Sequence, residues 1–427
     1  MANGRDIKLS LRSARGRIRP PPDSIYSALV GSLTRRLGVT ALSWLLVFGG
    51  LRAIVTQPER CGPVSTAEVT DAVSEAGDWF ANNQNADGTW LYRYDRDSDE
   101  DIGGYNIVRH SGVTMSLYQA AAIGTPGALE TADRGTAWAL DNLVDVGDGL
   151  AFATGERVEA GASGLLLAGL VERREFTAED IYDDEMAALA TFLVGQIEPS
   201  GAVLAAYDPQ TGAPVPGEYS YYFTGESSWA LARMAENFPD DGYADPTRAV
   251  AHYLATERDA TEELFPPVAD HWAAYTLSEI DAWSSGDGLS EDELGYAERL
   301  AKLFGSQVRY ESQRSNSAWS YVIRGRQTLA AGLGTLGEGL TSLFHIAQTD
   351  ERLAPHSEAI AERALCVSSL LVDRQASAQT ASQYTNPQRV QGAWFQFGIT
   401  QMDDQQHAMS ALLRSLPVID SQSEEDE

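Results

Sequence analysis

Leu333–Ile346 reads LGTLGEGLTSLFHI. Its leucines at 333, 336, 340 and 343 recur three and four apart, the spacing that gathers apolar side chains on one face of a helix. Most of the remaining residues are glycine, threonine or serine, so the segment is apolar yet small. Val108–Ala122 (VRHSGVTMSLYQAAA), Ala160–Leu170 (AGASGLLLAGL) and Gly225–Ala235 (GESSWALARMA) share that character. Between them run helical patterns of a second kind, more polar and alanine-spaced, as in Thr66–Gln84, Glu185–Gln196 and Asp292–Gln307. The two kinds alternate as six pairs, over roughly residues 66–122, 127–172, 177–236, 246–283, 290–347 and 356–415. Ser65-Thr66, Thr177 with Asp180, and Ser290 with Glu293 supply helix-start signals, the last a capping box. No period-two run long enough for a sheet competes. A helical hairpin cannot bury its own apolar face, so six of them must stack. Small residues on the second helices suit closure into a ring, with those helices packed around one axis. The expected fold is an all-α (α/α)6 toroid over residues 65–417.

Charge and cysteine content narrow the partners. The chain has 427 residues and a net charge of -30, from 61 acidic against 31 basic side chains. Such a body repels phosphate backbones, which excludes a nucleic-acid partner. Two cysteines are too few for a disulfide scaffold or a cysteine-based zinc module; no metal and no cofactor is expected. Residues 1–36 run against the trend, with Arg5, Lys8, Arg12, Arg15, Arg17, Arg19, Arg35 and Arg36 against Asp6 and Asp23. Directly after them, Leu37–Val55 (LGVTALSWLLVFGGLRAIV) is apolar except for Arg52. Its length falls within the ~17–25 residues that cross a bilayer. A basic flank before the span and an acidic one after it place the N-terminus in the cytoplasm and the body outside it. No A-x-A-like site follows Val55, which disfavours a cleaved signal peptide. The expected order is a basic, largely disordered segment (1–36), a single membrane span (37–55), a linker (56–64), the toroid, and a disordered acidic tail (418–427). Cys61 precedes the first outer helix and Cys366 lies in the sixth. Ring closure would set them side by side, and an oxidising compartment would allow a bond; a buried Cys366 with an unpaired Cys61 is the alternative.

The hairpin pattern, with YNIVRH (Tyr105–His110) and YSYYFTGESSWAL (Tyr219–Leu231) opening the first and third inner helices, resembles the six-hairpin toroid superfamily, including bacterial members. That superfamily holds glycoside hydrolases, polysaccharide lyases and sugar epimerases. The resemblance covers nearly all of 65–416 and implies a carbohydrate-active enzyme without fixing its reaction, since such folds host many chemistries. A second stretch, Trp79-Phe80-x-x-x-Gln84-x-x-x-Gly88-x-Trp90, reads like the QW repeat of triterpene cyclases. The D-x-D-D acid of those enzymes is missing here. Asp183-Asp184 and Asp403-Asp404 also lack the third aspartate of a D-D-x-x-D diphosphate motif. The QW-like stretch is therefore read as a structural turn.

In such a ring the loops entering the inner helices meet at one mouth. The residues placed there mix carboxylates with aromatic rings, as sugar sites do: rings stack on C–H faces, and charged groups bond hydroxyls. Glu226, Asp403, Asp404, Glu338 and Asp95 are the candidate catalytic carboxylates. Tyr92, Tyr105, Asn106, Arg109, His110, Tyr221, Tyr222, Asp270, His271, Trp319, Trp394 and His407 are candidates for substrate binding, with Glu156 and Glu159 near the second inner helix. Asp403, Asp404 and His407 share one helix, at a spacing that could cap it or ligate an ion. Glycoside hydrolysis needs two facing carboxylates, one protonated and one ionised, and Glu226 with one of the others is the expected pair. Lyase or epimerase chemistry needs instead a base near a sugar carbon. The expectation is a membrane-anchored, extracytoplasmic enzyme acting on a glycan by hydrolysis, with lyase or epimerase chemistry as an alternative. A non-catalytic glycan-binding or envelope-assembly scaffold is the alternative from another class; a terpene-cyclase-like enzyme is disfavoured by the acidic loops.

Overall fold

The computed structural model describes residues 23–155, 157–283 and 288–425. They divide into two units, Met1–Gln57 and Pro58–Glu427.

The first unit is one helix, α1 (Asp23–Val55). It begins after the Pro20-Pro21-Pro22 run and well before Leu37, which corrects the expected disorder for 23–36. Nothing between Asp23 and Val55 breaks a helix, and proline is favoured only ahead of a helix's first turn. Gly31–Ile54 is long and apolar enough to cross a membrane, with a mean hydropathy of 1.7.

The second unit is built of paired helices. The outer members are α2 (Thr66–Asn82), α4 (Ala128–Leu140), α6 (Asp183–Gly195), α8 (Ala244–Thr256), α11 (Glu291–Glu311) and α14 (Ser357–Arg374). The inner members are α3 (Ile107–Ala122), α5 (Ala160–Thr177), α7 (Phe223–Asn237), α10 (His271–Ala282), α13 (Ala330–Thr349) and α16 (Met402–Glu425). Three short helices, α9 (Arg258–Thr261), α12 (Ala318–Arg324) and α15 (Ala378–Ala381), lie in connections. Each inner helix packs on the next, and α16 returns to pack on α3. That last contact closes the ring, and the chain has the expected (α/α)6 toroid. Glycine makes the close approaches possible: a Cβ at Gly334 of α13 would overlap the backbone at His407 of α16.

The local signals work as their chemistry requires. Ser65 with Glu68 and Ser290 with Glu293 form reciprocal capping boxes on α2 and α11. Thr177 instead ends α5, and α6 starts at Asp183. In the QW-like stretch, the Gln84 amide donates to the carbonyls of Gly88 and Thr131, and Gly88 takes a positive φ of 96°. Trp90 is buried. The stretch is a turn that ties one hairpin to the next.

Short strands appear only in the loops. Arg93–Asp95 pairs with Ile399–Gln401, joining the first hairpin to the sixth. Cys61 and Cys366 are disulfide-bonded, with Cα atoms 5.1 Å apart. Glu59 meets Arg309 of α11 at 3.4 Å and Arg363 of α14 at 3.0 Å. The segment after the first unit is thus fastened to the outer ring. The expected disordered tail is corrected as well: α16 runs on to Glu425, and Val418 is 0% exposed because it continues that helix's apolar face.

Candidate active site

The N-terminal ends of the inner helices surround a cavity of about 380 Å³. Asn106 and Arg109 reach it from α3, Leu165 from α5, Tyr222, Phe223 and Glu226 from the start of α7. His271 and Trp272 come from α10, Thr335 from α13, and Asp403, Gln406 and His407 from α16. Because α10 and α16 both pack on α13, His271 and His407 flank that helix, and Glu338 of α13 lies between them.

These three groups define the electrostatics. Glu338 is fully buried and accepts a hydrogen bond of 2.8 Å from His407 Nδ1. Burial alone would drive the carboxyl up and the imidazole down. Their mutual attraction overrides both effects, holding Glu338 below the ordinary carboxylate range and His407 above the ordinary histidine range. His271 differs. Its Nε2 lies 3.6 Å from Glu338, yet burial lowers its pKa to about 4, so near neutral pH the contact is not an ion pair. Neither ring nitrogen of His271 has a hydrogen-bond partner among the described residues. The two rings stand nearly perpendicular, with centroids 5.2 Å apart. The two imidazoles of this cavity are thus shifted in opposite directions, His271 down and His407 up.

The carboxylates divide sharply. Burial pushes Glu226 up to about 8, with Asp270 and Glu159 adding to the shift, and its Oε2 has no partner among the described residues. A Cβ at Gly161 of α5 would overlap that oxygen, so glycine makes the space it occupies. Asp403 meets Arg109 at 3.2 Å, and Arg109 also donates to the Tyr92 hydroxyl. Asp404 turns the other way. It accepts the amides of Ala331 at 3.1 Å and Gln401 at 3.3 Å, and so caps the start of α13. Burial and the neighbouring Asp403 push its carboxyl up to about 7. Asp95 accepts the amide of Asp97 in the first hairpin's loop, away from the cavity. Asp404 thus serves as a cap and Asp95 as a turn residue, and neither lines the cavity where the expected catalytic pair was placed.

Several expected binding residues also have structural work. His110 is buried among Trp90, Trp138 and Phe152, bonded through Nε2 to the Gly135 carbonyl and through Nδ1 to the Tyr105 hydroxyl. Asp270 caps α10 and pairs with buried Arg258. Tyr221 is exposed and offers its backbone carbonyl to Arg258. Trp319 is 75% exposed on α12, and Trp394 is buried with its indole donating to Leu371. None of these five lines the cavity, nor do Tyr92 and Tyr105. Asn106 both caps α3 and lines it. Glu156 lies outside the described residues, and Glu159 pairs with Arg157. The sequence reading missed Gln406, whose amide nitrogen is buried without a partner; its position three residues after Asp403 was the available signal. His271, Glu338 and His407 offer ligand atoms within 4.8 Å of one another, as a metal site would need. The hydrogen bond between Glu338 and His407 uses one carboxylate oxygen, and Glu338 Oε1 is buried without a partner among the described residues.

No protein-family model matches the sequence, and no curated protein matches it. Solved structures match the fold. Cellobiose 2-epimerase from Spirochaeta thermophila DSM 6192 is similar with a TM-score of 0.58 and 12% identity, over 81% of this chain and 93% of that one. D-mannose isomerase follows at 0.57 and 11%, over 83% and 98%. A glycoside hydrolase family 76 mannosidase from Bacteroides thetaiotaomicron VPI-5482 gives 0.53 and 12%, over 83% and 99%. The six-hairpin architecture expected from the sequence is the one these structures share.

Proposed function

We propose that the chain is a carbohydrate-active enzyme that moves a proton on a sugar carbon within the ring's mouth, as an epimerase or isomerase does. One observation carries this reading: two histidines 5.2 Å apart, shifted in opposite directions by their surroundings and set beside one buried carboxylate in a single cavity. Groups whose surroundings push their pKa values apart mark acid and base assignments. Neutral His271 is the base, with an unpartnered nitrogen to take a proton; His407, charged by Glu338, is the acid. Arg109 and Glu226 then hold the sugar's oxygens, with Trp272 beneath its C–H face. The fold of the epimerase and isomerase above suits such chemistry.

Hydrolysis is the second reading, and Glu226 favours it. A carboxyl that stays protonated to about pH 8 is a ready general acid. Asp403, on α16, sits three places around the ring from α7 and is the opposing carboxylate. Incubation with reducing sugars and oligosaccharides in D2O separates the two. Proton transfer gives an isomer of unchanged composition carrying one deuterium on carbon, whereas shortened fragments without carbon-bound deuterium establish hydrolysis.

The proposed setting is a single-pass anchor with a cytoplasmic N-terminus and the toroid outside. The apolar length of α1, the basic residues ahead of it and the Cys61–Cys366 bond support this.

A further inference from the structure

A second cavity, of about 820 Å³, opens between the fifth and sixth hairpins. Ala330 and Leu333 of α13 line it, while Ala331, Gly332 and Thr335 of the same helix line the mouth. One turn of helix therefore separates the two spaces. Arg96 enters this second cavity with its guanidinium against two rings, 4.8 Å from the Tyr384 centroid and 4.5 Å from that of Phe395. A guanidinium stacked on a ring keeps its edge for hydrogen bonding. Yet Arg96 Nε is buried without an acceptor among the described residues, and so is Arg374 Nη2. Arg374 Nη1 donates to Glu311 at 2.8 Å, but Arg314 draws on the same carboxylate at 2.9 Å. Two guanidiniums share one negative charge, which leaves positive charge at the cavity wall. Asp97 and Asp373 lie on its exposed rim, where water screens them.

Buried donors left unmet are costly, and a planar guanidinium edge matches an oxyanion. We propose that this groove is a subsite for an acidic group, carboxylate or sulfate or phosphate ester, carried by the glycan whose reacting sugar sits in the mouth. The inference rests on the carbohydrate reading above and adds that the substrate is an anionic oligosaccharide.

The test titrates the full chain in detergent with neutral, uronate-bearing, sulfated and phosphorylated oligosaccharides of equal length, and with inorganic sulfate and phosphate. At least one acidic oligosaccharide should bind about tenfold or more tightly than the neutral one, and which one does identifies the group. Arg96→Gln and Arg374→Gln should each remove most of that preference while changing neutral binding by less than about twofold. Circular dichroism checks folding. Should Arg374→Gln fail to fold, Arg96→Lys, which keeps the charge but loses the fork, should still lose most of the preference. Equal binding of neutral and acidic oligosaccharides, preference surviving in the variants, or a free ion binding as tightly as the oligosaccharide would each overturn the subsite and leave the carbohydrate reading standing. Binding of no oligosaccharide at all sinks both.

Discussion

The two ends of the toroid are built on opposite terms. At the far end, near the C-termini of α5, α7 and α10, buried Arg233 meets Glu172 at 3.0 Å, Glu279 at 3.5 Å and Glu175 as well. Arg173 nearby pairs with Asp133 at 2.8 Å and Glu179 at 2.9 Å. Burial of these two arginines is offset by partners. At the mouth, polar atoms of His271, Glu226, Asp403 and Gln406 are buried without partners among the described residues. An unmet buried polar group costs about 1–3 kcal/mol, so a fold carrying several at one end spends stability there. The contrast separates groups paired within the ring from groups with unpaired polar atoms at the mouth.

Substitutions at the two ends should therefore fail in different ways. His407→Asn and His271→Asn should each lower turnover by about 10²–10⁴-fold, the span of a positioned acid or base, with little change in thermal midpoint. A large fall in midpoint alongside would show these histidines to be structural. Arg233→Leu should do the reverse, destabilising by about 3–5 kcal/mol because three carboxylates lose their buried counter-charge. Equilibrium denaturation reads this directly, and an unchanged midpoint would break the contrast. Reducing the Cys61–Cys366 bond, which closes a long loop, should cost about 2–4 kcal/mol and spare the cavity. The smallest effect belongs to Ser65→Ala, about 1 kcal/mol from a lost helix cap. An activity change from that substitution would mean the outer ring is coupled to the mouth.

The ring was legible because its signals are periodic. Leucine spacing marked the helices, cap signals marked starts at Thr66 and Glu291, and glycine and alanine marked the inner helices. The site was legible only by address. Asp403 and Asp404 are neighbours in sequence, but one residue turns a helix by about 100°, so one faces the cavity and the other caps α13. Glu338 was visible among glycines, yet its bond to His407 joins residues 69 apart. Asp95 and His110 carry suitable chemistry at suitable addresses, and local turns and rings absorb them. Those partners come from the fold and leave no local pattern. α16 outran its expected end because Ser421–Glu425, though polar, continues a helix already anchored by Val418.

The central claim is that one mouth histidine is neutral and the other charged at the same pH. Histidine-labelled NMR of the full chain in detergent tests it, with His271→Asn and His407→Asn assigning the signals. His271 should stay neutral down to about pH 4, and His407 should hold its proton above the ~6.5 of a free histidine. If both rings titrate together near that free value, the acid–base assignment is wrong.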